Sequence, residues 1–315
     1  MARRRIWSEL VPLDVLAETP ALEALAARRV QLLFAVQPGQ EEGARRVVAR
    51  CASQGLSVGL WPLLDDADGR WLHPGNAERF EAWVRTLLDA VEGPIDALAL
   101  DLEPPIAELR RITDGYLGAA RAWLTRPIDA APHRRLCALA RARGLEVIAA
   151  LVPPVVLPGR AGGGWQRALG TPIDAGYDVL SAMLYTSLFE GYGFGVVRRD
   201  DARALLDRFA RESRARFGPR ASASLGAIGV GALGDERTYR DPAELAEDVA
   251  LARAAGVEDL ALFDLSGALA RPPLGVWLDA LVETPPAPEG ARQTPRARAV
   301  IASASVVGVA LDLLR

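Results

Sequence analysis

Not one of the 315 residues is lysine, so the 37 basic side chains are all arginine. This absence excludes several chemistries at once. Schiff-base aldolases, pyridoxal phosphate enzymes and Walker-type phosphate loops all need a lysine amine. Histidine is nearly as scarce, with only His73 and His133, which argues against a multi-histidine zinc site; no metal and no cofactor is expected. The two cysteines, Cys51 and Cys137, lie far apart in segments of helical pattern and form neither a disulfide framework nor a metal motif. They read as buried free thiols of a reducing compartment. Net charge is -3 with no basic stripe, so nucleic acid is not an expected partner, and Arg3-Arg4-Arg5 reads as a solvated N-terminus. No signal peptide is visible, because Asp14 and Glu18 fall where an apolar stretch would be needed, and a cytoplasmic location is expected. The apolar run from Ala299 to Leu311 is too short to span a bilayer. It reads instead as a packed terminal helix.

What the chain does have is alternation. Apolar runs at 6–10, 30–36, 56–63, 95–102, 146–152, 179–186, 222–230 and 260–265 are separated by segments of helical period such as 41–53, 77–91, 202–217 and 242–255. Most of these runs are continuously apolar, as parallel strands covered by helices should be. Eight such units in series predict an α/β fold, a (β/α)8 TIM barrel; a doubly wound sheet is the second choice. The barrel is expected over 1–285, then a linker over 286–298 and the apolar tail over 299–315. The stretch between Pro105 and Leu145 leaves room for two helices inserted after strand four.

The segment Asp96-Ala-Leu-Ala-Leu-Asp101-Leu-Glu103 reads as a buried strand ending in two acids two positions apart, so both project from one face. Pro104 and Pro105 stop the ladder and leave Glu103 at the rim. In a barrel, function gathers at the C-terminal strand ends. Those ends also carry Glu9, Gln37, Trp61, Tyr185, Phe263 and Asp264, and the loops behind them hold Trp71, Trp165, Phe189, Tyr192 and Phe194. Aromatic faces around carboxylates suit sugar rings. The bland alternative for Asp101 and Glu103 is ion pairing with Arg110 or Arg111.

Two motifs lose force on position. Gly55-x-Ser57-x-Gly59 matches a nucleophile elbow, but Ser57 opens a strand where the elbow needs a strand-to-helix turn. Gly229-x-Gly231-x-x-Gly234 matches a dinucleotide fingerprint, yet no helix begins after it. With Ser266-Gly267 behind strand eight it could cradle phosphate, but the first reading is a turn in which backbones pack closely.

The strand-four segment resembles glycoside hydrolase family 18, the chitinases and their relatives. The signature D-G-x-D-x-D-x-E falls on Asp96 to Glu103 with Asp96, Asp101 and Glu103 matching, and with Ala97 and Ala99 in place of the glycine and the middle aspartate. The strand-six M-x-Y-D falls on Met183-Leu-Tyr185-Thr186, and the strand-eight tryptophan on Phe263. Of the strand-three S-x-G-G, only Ser57 and Gly59 are present. The resemblance implies Glu103 as general acid, Asp101 as the residue supporting a substrate acetamido nucleophile, and Tyr185 as its hydrogen-bond partner. It implies a carbohydrate substrate, with Trp61, Trp71, Gln37, Met183, Phe263 and Asp264 as candidate contacts. Leu102-Glu103-Pro104 also resembles the acid/base motif of the retaining clan A glycosidases, for which the nearest second acid is Glu236. Two alternatives stay open: a sugar-binding pseudoenzyme, and a barrel lyase or isomerase acting on a phosphorylated small molecule.

Overall fold

The computed structural model describes residues 3–91, 93–108, 128–193, 195–231, 234–287 and 289–314. Eight parallel strands close into a barrel in chain order: β1 (Arg4–Ser8), β2 (Val30–Val36), β3 (Val58–Pro62), β4 (Ala97–Leu102), β5 (Glu146–Leu151), β6 (Val179–Met183), β7 (Ala221–Gly226) and β8 (Asp259–Phe263). Arg4 pairs with Val30 on one side and with Leu260 on the other, which closes the ring. The first strand runs two residues earlier than its apolar run suggests, because Arg4 and Arg5 are pulled into the sheet. Arg4 donates to Leu281 O and Glu258 O, and Arg5 lies 1 % exposed inside.

The continuous apolar runs hide a strict two-residue alternation. Leu98, Leu100 and Leu102 belong to the layer between sheet and helices, while Ala97 and Ala99 face the barrel interior; Leu32, Phe34 and Val36 alternate likewise with Leu33 and Ala35. Both faces of each strand are buried, so hydropathy alone does not show the period. Size does. Small residues on β4, β5 and β8 (Ala97, Ala99, Ala150, Ala261) leave interior room for Trp7 and Trp61, which meet edge to face at 5.0 Å. Below them the interior turns polar. The Arg5 guanidinium is held by Gln31, Glu146 and Asp259, and a hydroxyl chain leads up from Asp259 through Ser222, Ser181 and Ser224 to the indole N–H of Trp7. A buried guanidinium is tolerated there because carboxylates on two strands meet it.

Among the described residues the helices around the barrel are α1 (Leu13–Glu18), α2 (Ala21–Ala27), α3 (Glu41–Ser53), α4 (Ala77–Ala90), α5 (Ala131–Ala142), α6 (Gly159–Leu169), α7 (Thr186–Gly191), α8 (Arg199–Phe217), α9 (Pro242–Ala254), α10 (Leu265–Ala270), α11 (Leu274–Glu283) and α12 (Pro295–Leu313). Cys51 and Cys137 are buried free thiols, and burial pushes both up to about 11. No helix among the described residues is long and apolar enough to cross a membrane. Of the stretch after strand four, Arg110 and Arg111 lie outside the described residues, as does Phe194.

The terminal helix α12 starts four residues before the apolar run, at Pro295, with Thr294 accepting from the Ala297 N–H. It packs on α6 through two glycines. A Cβ on Gly164 would stand 1.8 Å from Gly308 O, so the two backbones are as close as glycine permits. Gly164→Ala is therefore expected to cost about 1–3 kcal/mol by overpacking, read as a lower urea midpoint. An unchanged midpoint would mean that α12 contributes little.

Candidate active site

The alternation that places Ala97 and Ala99 inside the barrel continues through Asp101 to Glu103, so both acids enter the interior at the C-terminal rim. They open into a cavity of about 110 Å³ lined also by Trp7, Glu9, Trp61, Trp71, Met183, Tyr185, Gly231, Glu236 and Phe263. The rings of Tyr185 and Phe263 lie 5.5 Å apart on one wall. Of the residues expected from sequence, Glu103, Asp101, Tyr185, Trp61, Trp71, Met183 and Phe263 thus come together.

Gln37 and Asp264 are not in the lining. The Gln37 amide donates to Leu64 O at 3.5 Å, a long and weak contact. Asp264 is fully buried and caps α10, accepting from the Gly267 N–H at 3.0 Å and the Ser266 hydroxyl at 2.6 Å. An aspartate three residues before a backbone N–H at a helix start is a capping pattern, and it was legible in Asp264-Leu-Ser-Gly267. Of the loop aromatics only Trp71 lines the cavity among the described residues. Trp165 donates to Ala304 O on α12, Phe189 packs against Phe209, and Tyr192 donates to Asp235. Thr186, at the position that resembles the strand-six aspartate, donates instead to Asp248 in an outer cluster with Arg199 and Tyr239.

Sequence reasoning passed over Trp7, although it lies two residues before Glu9 on the same alternating face. It also passed over Arg70, which no motif marks. Arg70 holds a left-handed backbone, φ 64°, and its guanidinium bridges Glu9 and Asp66. Glu236 stands in the loop behind β7 and reaches the cavity from there, its carboxylate accepting from the Gly234 N–H at 2.8 Å.

Electrostatics follow from four acids in one aromatic-walled pocket. Loss of water pushes Asp101 well above the ordinary carboxylate range, reinforced by Glu103 and Glu9. Glu103 is partly open to the cavity, yet protein surrounds it, and desolvation followed by Glu9 raises it to about 8. Arg70 opposes both shifts. The two acids interact, so protons leave the pair and not either residue alone. Glu9 is itself raised by burial, against the pull of Arg70. Tyr185 stays a neutral phenol for the same reasons, bonded to Ser224.

The phosphate reading meets an obstacle. Gly267 and Gly234 spend their N–H groups on carboxylates, and a Cβ on Gly267 would lie 2.1 Å from Gly229 N, so the glycines serve close backbone packing. Among the described residues no group of three or more side chains is arranged to hold a metal ion.

No protein-family profile matches the chain, and no curated protein matches it in sequence. Solved structures do. A class V chitinase from Nicotiana tobaccum superposes with TM-score 0.51 at 10% identity, over 89% of this chain and 99% of that one. A family 18 chitinase from Cycas revoluta, in complex with (GlcNAc)3, gives 0.50 at 12% over 90% and 99%. The catalytic domain of a hyperthermophilic chitinase from Pyrococcus furiosus gives 0.50 at 13% over 99% and 96%. The fold is therefore similar to that of family 18 chitinases, with a divergent sequence.

Proposed function

We propose that this barrel is a glycoside hydrolase acting on an oligosaccharide or polysaccharide, with Glu103 as the general acid. One observation carries the reading: two carboxyls, Asp101 and Glu103, share the tip of β4 in an aromatic-walled cavity, where burial raises Glu103 to about 8. A general acid must be protonated at working pH and within reach of the leaving oxygen. Asp101 stands two residues away on the same strand face, where its carboxyl, kept protonated by the same burial, can donate a hydrogen bond to substrate. Tyr185, kept as a phenol, can donate to substrate from the turn just behind β6. Trp61, Trp71 and Phe263 offer faces for the C–H side of a sugar ring. The solved chitinases of similar fold, one of them holding (GlcNAc)3, favour a saccharide over other small molecules.

Glu103→Gln tests this, since the amide keeps the shape and loses the transferable proton. Hydrolysis of a saccharide substrate should fall by ~100-fold or more while binding persists. In the unchanged protein, activity should decline as pH rises through about 8, where the acid loses its proton. Undiminished hydrolysis in Glu103→Gln would remove this residue from the mechanism. Binding with no hydrolysis in either form would make the protein a sugar-binding pseudoenzyme.

A further inference from the structure

Glu236 reaches the cavity from a loop and not from a strand, and its two chain neighbours show what brings it there. Asp235 accepts from the Tyr192 hydroxyl at 3.0 Å, and the Arg237 guanidinium lies 3.3 Å from the Glu190 carboxylate. Glu190 is in α7 and Tyr192 is its C-cap. The helix therefore grips the loop on either side of the acid. Further bonds join the two segments at their roots. Ser187 accepts from the Ala227 N–H at 2.7 Å, and the Tyr239 N–H closes the neck of the loop on Ala227 O at 2.7 Å. Thr186 and Tyr239 both donate their hydroxyls to the buried Asp248 carboxylate on α9, which Arg199 meets at 2.8 Å.

The outer ties add little to stability, because the Tyr192–Asp235 bond is exposed and the Arg237 side chain is 48% exposed. What they fix is geometry. Tyr185 and Leu188 form one stretch of the cavity wall, and Ala227, Gly231 and Glu236 form the next. The field at Glu103 depends on how these walls stand. Loss of water raises Glu103, Glu9 adds to the rise, Arg70 opposes it and Glu236 adds again. Among the described residues the titratable and charged groups whose fields reach the pair are Glu9 behind β1, Arg70 behind β3, Asp101 and Glu103 on β4, Tyr185 and Tyr192 behind β6, and Glu236 behind β7. Of the acids among them, only Glu236 has its place set by a helix of another β-α unit.

We propose that Glu190 and Tyr192 are positioning residues that act through Glu236: by holding Asp235 and Arg237 they set how closely this acid approaches Glu103 across the cavity. Asp248 anchors the arrangement from behind. Neither Glu190 nor Tyr192 lines the cavity. The proposal rests on the glycosidase reading and deepens it, since the carboxyl being tuned is the one assigned to protonate the leaving oxygen.

The test is a carbon-13 NMR titration of the Glu103 carboxyl in the full chain labelled at glutamate, the signal being identified by its loss in Glu103→Gln. In the double variant Glu190→Gln/Tyr192→Phe the Glu103 titration should move to lower pH, because a like charge has drawn back. Turnover of an N-acetylglucosamine tetramer at pH 9 should fall at least ~3-fold with it, as the acid loses its proton earlier. In a Glu236→Gln background the same two substitutions should move neither reading further, whereas losses from general loosening would add. Urea unfolding reports whether the double variant is folded; if it is not, Tyr192→Phe alone should give a smaller shift in the same direction. An unmoved Glu103 titration in the folded variant would overturn the proposal, and so would an equal further shift in the Glu236→Gln background. A titration that moves as expected in a protein that hydrolyses no saccharide would sink the glycosidase reading and leave the positioning role standing.

Discussion

Glu103→Gln is expected to make the protein more stable at pH 8, by about 2–4 kcal/mol, and to change it little at pH 5. The sign follows from proton counting. Below the ordinary value of 4.5 both the folded and unfolded chains hold the Glu103 proton; above about 8 neither does. Between these limits the folded chain binds the proton and the unfolded chain releases it. Stability therefore falls as pH rises through the window, by up to ~1.4 kcal/mol per unit. An amide never ionises, so its chain escapes this loss. Urea unfolding at pH 5, 6.5 and 8 checks the expectation: the gap between the two midpoints should widen with pH. A constant gap would mean that Glu103 ionises near its ordinary value and that the proposed acid is not kept protonated by the fold. A gap that widens with pH would mean that hydrolysis and stability pull against each other at one carboxyl, a trade seen where activity depends on a strained or costly site.

Arg70→Met should cost ~3–5 kcal/mol at pH 8, because it removes one partner of a buried pair whose other partner, Glu9, has a side chain only 3% exposed. At pH 5 the loss should be smaller. Burial already raises Glu9 and Arg70 holds it down; without the guanidinium the carboxyl takes up a proton as pH falls and ceases to be a buried charge. The same substitution should move the alkaline limb of hydrolysis upward, since Arg70 restrains Glu103, whereas Glu9→Gln should move it downward, since Glu9 raises Glu103. Opposite displacements from the two halves of one ion pair would be hard to obtain by general unfolding. Displacement in the same direction, or none, would show that the pair does not tune the acid.

How far the sequence carried the reading depends on which force shaped each residue. The eight strands were visible because parallel strands buried on both faces leave apolar runs, and the rim acids were visible because a two-residue period turns Asp101 and Glu103 to one side. The barrel's first strand was misplaced because charge, not hydropathy, draws Arg4 and Arg5 inward. Asp264 was read as a rim acid, but local capping claims its carboxylate. Arg70 carried no signal: its importance lies in a contact with Glu9 sixty-one positions away in the chain, set by a loop. Glu236 was noticed as an acid off its strand, and only the path of the loop behind β7 brings it to the cavity. Residues on regular strands could be placed by period. Those on loops could not.

The tryptophans give the cavity a voice of its own. Three of the chain's seven, Trp7, Trp61 and Trp71, stand in the lining, and two of them meet edge to face. Their emission comes from the same few ångströms in which the carboxyls gain or lose protons and any ligand must sit. Titrating the unlabelled protein with acid or with saccharide should therefore alter its intrinsic fluorescence and its near-ultraviolet circular dichroism, so that occupancy can be followed by light alone, without a dye.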